Sequence, residues 1–280
     1  MGIFHYTDLN GFKGIVENSC LWATNIHFMN DKNEYTHGIL CFRNALKYLE
    51  GSELSNALEI SLKSAISKYD DYELMKHEAA RHVYSISFCR GIDKLSQWRG
   101  YGNSQGISLE FDEFALIDGV EKDSAFFRHG DVIYTDEKNT VEVNKKIIDF
   151  FSEFSDYFLK DKKNEGSRYS NSFTRFITAN LLMESSIPFL KNYGFSEENE
   201  FRFVFSRGIG MPKVNFRVGA YGLIPYLNIR MKDDKKLPIA KVVIGPAKDK
   251  EMIYLGVRMI LDANGYNDVQ IEFSTVPYRG

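Results

Sequence analysis

The run Glu198-Asn199-Glu200-Phe201-Arg202-Phe203-Val204-Phe205 constrains the fold of this chain more than any other stretch. Successive side chains of a strand point to opposite faces, so an extended backbone here sets Glu198, Glu200 and Arg202 on one side and Asn199, Phe201 and Phe203 on the other. The aromatic side packs a core. The side with two acids and an arginine is either a solvated Glu-Arg ladder or a carboxylate site lining a cleft.

Two other stretches carry polar groups at the ends of apolar runs. Ile3-Phe4-His5-Tyr6 reads as a short strand continued by Thr7, and Trp98-Arg99-Gly100-Tyr101 interrupts the middle of the chain. Asp8 is placed to cap a helix that carries Leu9, Phe12, Ile15 and Val16 at helical spacing, and Leu21-Trp22-Ala23-Thr24 is a second strand. A turn at Asn30-Asp31-Lys32-Asn33-Glu34 leads to a helix with Ile39, Phe42, Ala45, Leu46 and Leu49 on one face, and a further helical stretch covers about 53–81. Val83 to Cys89 and Ile107 to Phe111 alternate as strands. From about 139 to 192 the pattern is helical, broken at Lys162 to Ser167 and ending near Pro188, which predicts an inserted helical pair. The chain closes as strand (Lys241 to Ile244), helix (about 249–263) and strand (Val269 to Phe273). The predicted class is α+β, one domain over residues 1–280.

With 280 residues, of which 44% are hydrophobic, the chain buries a full core. No run reaches the roughly 18–20 apolar residues that span a bilayer, and no basic stretch followed by an apolar one opens the chain, so the expected location is the cytoplasm, with no membrane partner. Cys20, Cys41 and Cys89 are few and dispersed, as reduced buried thiols are. A formal charge of −3 provides no general basic field for nucleic acid. Arg81, Arg90, Lys94 and Arg99 nevertheless cluster against one acid, Asp93. Such a cluster is usually a solvated face, but beside a site it can receive a pyrophosphate.

Two motifs fail on context. Gly102-Asn103-Ser104-Gln105-Gly106 has the spacing of a hydrolase nucleophile elbow, but a helix-like segment precedes it and a strand follows, the reverse of the required order. His77 and His82 stand five residues apart, about 140° around a helix, so they do not share a metal-binding face, and no metal site is expected.

A histidine, a tyrosine and a glutamate in the order His5, Tyr101, Glu200 resemble the plan of ADP-ribosyltransferases, the enzymes that split NAD at its nicotinamide–ribose bond. The first strand-helix-strand unit is similar to the branch of RNA 2′-phosphotransferases and DarT-like DNA-modifying toxins. Across the chain, Phe28-Met29-Asn30-Asp31 with Glu34, Ser87-Phe88-Cys89, Trp98-x-x-Tyr101, Glu198-Asn199-Glu200-Phe201-Arg202, Val243-Ile244-Gly245-Pro246 and Pro277-Tyr278-Arg279 resemble the bacterial DUF2971 family.

The resemblance implies a split β-sheet core, NAD as a consumed substrate, Glu200 as the catalytic carboxylate and Glu198 as the acid that activates an acceptor. It implies His5, Tyr6 and Thr7 on the ribose and nicotinamide amide, Trp98, Arg99 and Tyr101 along the nicotinamide, and Arg202 as a further NAD-binding residue. The Asn30-Asp31 loop has no counterpart in the three-residue plan, and its role is open between the adenosine half of NAD and the acceptor. It further implies a nucleic-acid acceptor, RNA or DNA, and for a toxin or phage-defence effector an antitoxin protein partner. NAD hydrolysis and a catalytically silent binding module are the alternatives.

Overall fold

The aromatic alternation after residue 200 does build a central strand. In the computed structural model, which describes residues 2–29, 34–48, 83–101, 105–120, 125–135, 145, 186–207, 213–219 and 222–277, this strand is β8 (Glu200–Arg207). It runs antiparallel along the whole of β3 (Val83–Cys89), from Val83 opposite Ser206 to Cys89 opposite Glu200, and its other edge takes β5 (Ala125–Asp131). Phe201, Phe203 and Phe205 are buried, and Phe203 meets Phe88 and Phe127 edge-on at 5.1 Å in each case. Aromatic pairs of this geometry add about 0.5–1.5 kcal/mol beyond the area they bury.

The free edge of β3 is shared. β2 (Cys20–Asn25) pairs with its first half through Thr24 and Asn25, whereas β1 (Gly2–Asp8) touches its far end with Phe4 opposite Cys89. β1 and β2 therefore part at β3, and the sheet opens into a fork. Outward from β1 lie β4 (Gly106–Asp112), β11 (Ile239–Ile244) and β12 (Gln270–Phe273), and outward from β2 lie β10 (Gly222–Arg230) and β9 (Asn215–Gly219). All these pairings are antiparallel except β11 with β12. The described residues thus form a mixed α+β fold with a mostly antiparallel sheet.

Helices cover both faces. α1 (Leu9–Asn18), capped by the Asp8 carboxylate accepting from Gly11 N at 2.8 Å, buries Phe12, Ile15 and Val16 in the main core. Ile253, Val257 and Leu261 recur every four residues on α5 (Lys250–Ala263) and join the same core. On the opposite face α3 (Leu95–Tyr101) drives Trp98 into a second cluster with Phe4, Tyr6, Cys89 and Val243. Gly245 makes that possible: a Cβ there would stand 2.8 Å from the indole. Further helices among the described residues are α2 (Glu34–Tyr48) and α4 (Glu113–Gly119).

The predicted closing strand-helix-strand unit, the Asp8 cap and the helix before Gly106 are all present. Two boundaries are corrected. Glu198 is not in the strand: it ends a 3-10 segment at Tyr193–Glu198, and Asn199 adopts the left-handed conformation (φ 45°, ψ 55°), which asparagine tolerates better than most residues. The helical reading up to 192 also fails at its end. Pro188 sits in a 3-10 turn at Ile187–Phe189, and β7 (Leu190–Asn192) then pairs parallel with β6 (Ile133–Thr135). The rest of the predicted insertion apart from residue 145, the helical stretch at 53–81, and Asn30, Asp31, Arg81, Gly102, Ser104, Tyr278 and Arg279 lie outside the described residues.

Candidate functional site

The fork holds a cleft of about 640 Å³ lined by His5, Tyr6, Thr7, Tyr101 and Glu200, among others. This volume falls within the roughly 300–1,000 Å³ of small-molecule sites. His5 Nδ1 lies 2.9 Å from the Ser87 carbonyl, in the stretch of β3 that neither β1 nor β2 pairs. A carbonyl can only accept, so Nδ1 carries the proton and Nε2 of the neutral ring is left as an acceptor. Burial depresses the His5 pKa, and the charge of Arg217 lowers it further against the opposing effect of the Ser87 bond. The ring is therefore neutral at pH 7, suited to accept from a hydroxyl. Thr7 is held close to α1, where a Cβ on Gly11 would collide with its Oγ1.

Glu200 enters the cleft from the first position of β8 with only 4% exposure. Its Oε2 accepts from Arg202 Nε at 2.6 Å, and its Oε1 is held more loosely by Lys191 Nζ at 3.3 Å. Arg202, fully buried, also pairs with Glu34 and donates to the Pro188 carbonyl at 2.6 Å. Lys191 completes the array, 2.5 Å from Glu198 and 3.7 Å from Glu34. Burial opposes ionisation of Glu200, but Arg202 and Lys191 outweigh it and hold the carboxyl below its ordinary range. The same surroundings act oppositely on Glu198. Burial and the neighbouring Glu200 charge push its pKa up to about 7, with Lys191 only partly offsetting them.

A testable pH dependence follows from these opposite shifts. Folded Glu198 binds its proton more tightly than the ordinary value of 4.5, so its contribution to stability is complete below that value and disappears as pH rises through about 7. The Glu200 contribution has the opposite sign: it is present above 4.5 and lost as pH falls through the depressed folded value. Urea unfolding at several pH values should show wild type losing stability relative to Glu198→Gln between about pH 5 and 8. A flat difference curve would mean that Glu198 titrates normally.

Other predicted residues fall elsewhere. Trp98 is 2% exposed and does not line the cleft; its indole N–H donates to Asp93 at 2.8 Å and its ring meets Tyr6 edge-on. It is large and apolar enough for the core to claim it as a wedge between α3 and Gly245. Tyr6 contributes to the wall, but its hydroxyl is committed to the Gly91 carbonyl and the Lys94 amide. Arg202 stands behind Glu200 because its charge is matched by two carboxylates, and Glu198, outside the cleft lining, hydrogen-bonds Glu200 carboxyl to carboxyl and shares Lys191 with it. Arg99 is exposed at the last turn of α3 and outside the lining. Arg90 is no pyrophosphate receptor, since Glu113 and Asp131 both pair with it and Phe201 lies 4.2 Å beneath it.

Three contributors went unassigned in sequence: Lys191, Glu34 and Arg217. Glu34 stands out as an acid beside the Asn30-Asp31 turn and in the DUF2971 resemblance but with no role attached, and Lys191 only as one charge after Pro188. Arg217 had a usable signal, the alternation Asn215 to Gly219 followed by Gly222, which marks a hairpin.

The model of a family described as "Protein of unknown function (DUF2971)" matches residues 97–203. That stretch contains α3 from Gln97 onward, Lys191, Glu198 and Glu200, and the match supports the DUF2971 family without attaching an activity to it. No curated protein and no solved structure matches the chain.

Proposed function

We propose that this protein cleaves NAD at the nicotinamide–ribose bond and transfers ADP-ribose to a macromolecule, with RNA or DNA as the first acceptor to examine. The observation that carries this reading is the meeting of His5, Tyr101 and Glu200 in one forked cleft. Departure of nicotinamide with the bonding electrons leaves positive charge on the ribosyl carbon, as in glycoside hydrolysis. Glu200, held ionised by Arg202 and Lys191, stabilises that charge. His5 accepts from a ribose hydroxyl through Nε2, and Tyr101 offers a ring to the nicotinamide. The acceptor forms the new bond to the ribosyl carbon and yields its proton to Glu198, whose pKa near 7 suits proton transfer. The Cys89 thiol opposite Glu200 is held protonated by burial and is not the nucleophile. A role as a toxin or phage-defence effector, with an antitoxin partner, fits such an activity.

One observation favours a second reading, a binding module without turnover: both oxygens of Glu200 already face cations and the residue is nearly buried. Incubation with NAD labelled in its adenylate half separates the cases. Label appearing in added RNA or DNA supports transfer, free ADP-ribose supports hydrolysis, and intact NAD supports the silent module. If Glu198 activates the acceptor, Glu198→Gln should reduce labelled product severalfold more than nicotinamide release. Equal losses in both assays would refute that division of labour.

A further inference from the structure

Among the described residues, three arginines that are buried or half-buried are matched by acids. Arg202 meets Glu34 and Glu200, Arg90 meets Glu113 and Asp131, and Arg258 meets Asp262. Arg217, which lines the cleft from β9, donates to Thr24 Oγ1 at 3.0 Å and has no carboxylate within ion-pair distance among those residues. Asp8 acts on it only from a distance, and the Asp8 carboxylate already accepts from Gly11 N. The guanidinium is positioned over the rings of Trp22 and Tyr226, at 5.5 and 5.9 Å from their centroids. Burial lowers its pKa, so the positive charge is under-compensated where it stands. A guanidinium has five N–H donors in a planar fork suited to phosphate oxygens, and most of these are not used by Thr24.

A second observation lies on the same wall. Ser85 and Ser87 line the cleft on β3, and their buried hydroxyls meet no hydrogen-bonding partner among the described residues. Buried hydroxyls are normally satisfied, so two in residues of one cleft wall are left unused by the protein. Ser85 faces Thr24 across the β2–β3 pairing, at the Arg217 end, and Cys89 faces Glu200 at the other. Four residues of strand separate the two ends by about 13 Å.

We propose that Arg217, with Ser85 beside it, forms an oxyanion subsite for the pyrophosphate of a nucleoside diphosphate whose ribosyl end lies at Glu200. The nucleotide class rests on the proposed use of NAD; the oxyanion subsite needs only the geometry around Arg217. The ring faces of Trp22 and Tyr226 keep the fork aimed, and the separation along β3 is on the scale of a ribose 5′-pyrophosphate.

Equilibrium binding of ADP, adenosine and a short oligothymidylate to wild type, Arg217→Gln and Ser85→Ala provides the test. Wild type should bind ADP at least about tenfold more tightly than adenosine, and Arg217→Gln should remove that preference while leaving adenosine unchanged. Ser85→Ala should weaken ADP by roughly two- to tenfold, the value of one hydrogen bond, without lowering thermal stability, because the lost hydroxyl has no protein partner. If Arg217→Gln does not fold, wild-type ADP affinity must fall with added NaCl while adenosine affinity does not. Equal binding of ADP and adenosine by wild type, undiminished ADP binding by folded Arg217→Gln, or equal salt dependence would overturn the subsite. Dependence on Arg217 seen with oligothymidylate instead of ADP would overturn the diphosphate assignment in favour of a nucleic-acid phosphodiester. Nicotinamide release, measured in parallel, separates the two claims. ADP preference without NAD cleavage upholds the subsite against the proposed function, and cleavage without that preference does the reverse.

Discussion

Glu200→Gln is expected to slow nicotinamide release from NAD by about a hundred- to a thousandfold, equivalent to about 2.7–4 kcal/mol, the usual loss when one electrostatic group aimed at a developing charge is removed. The amide keeps the shape of the side chain and removes the charge. The fold should persist, since Arg202 retains Glu34 and Lys191 retains Glu198 once Glu200 is neutral. The loss should fall on kcat more than on KM, because the carboxylate acts on charge that exists only in the transition state. Steady-state kinetics on protein shown to be folded by circular dichroism gives the answer. Wild-type turnover by folded Glu200→Gln would remove this carboxylate from the chemistry.

Arg202→Met should destabilise the protein by roughly 3–5 kcal/mol, the cost of leaving buried charge without its partner. Arg202 is fully buried and bridges Glu34 to Glu200, residues drawn from α2 and β8. Without it, Lys191 alone faces three carboxylates. Arg202→Lys should recover only part of the loss, since a single ammonium cannot span two carboxylates as a planar fork does. Urea unfolding measures both variants, and a change below about 1 kcal/mol for Arg202→Met would show that the array contributes little to stability.

The legible part of this site was its local pattern. Alternation after residue 200 identified the core-facing phenylalanines and the polar side of the strand, and the Asp8 cap marked the start of α1. The failures came from long-range choices. Trp98 and Arg202 bear side chains that suit either a cleft or a core, and tertiary partners decided for the core: Gly245 and Asp93 for one, Glu34 for the other. Glu34 and Arg202 are 168 residues apart, and Arg217 and Thr24 are 193 apart, distances over which no spacing rule operates. Asn199 moved Glu198 out of the strand by one left-handed residue, a change that a period-two pattern cannot register.

The most direct measurement is the structure of the Glu200→Gln protein with NAD bound, since this variant should retain the dinucleotide uncleaved. The account predicts NAD in the forked cleft, with nicotinamide against Tyr101, its ribose between His5 and residue 200, and the pyrophosphate on Arg217. NAD bound elsewhere, or a cleft that takes up no NAD at saturating concentration, would contradict it.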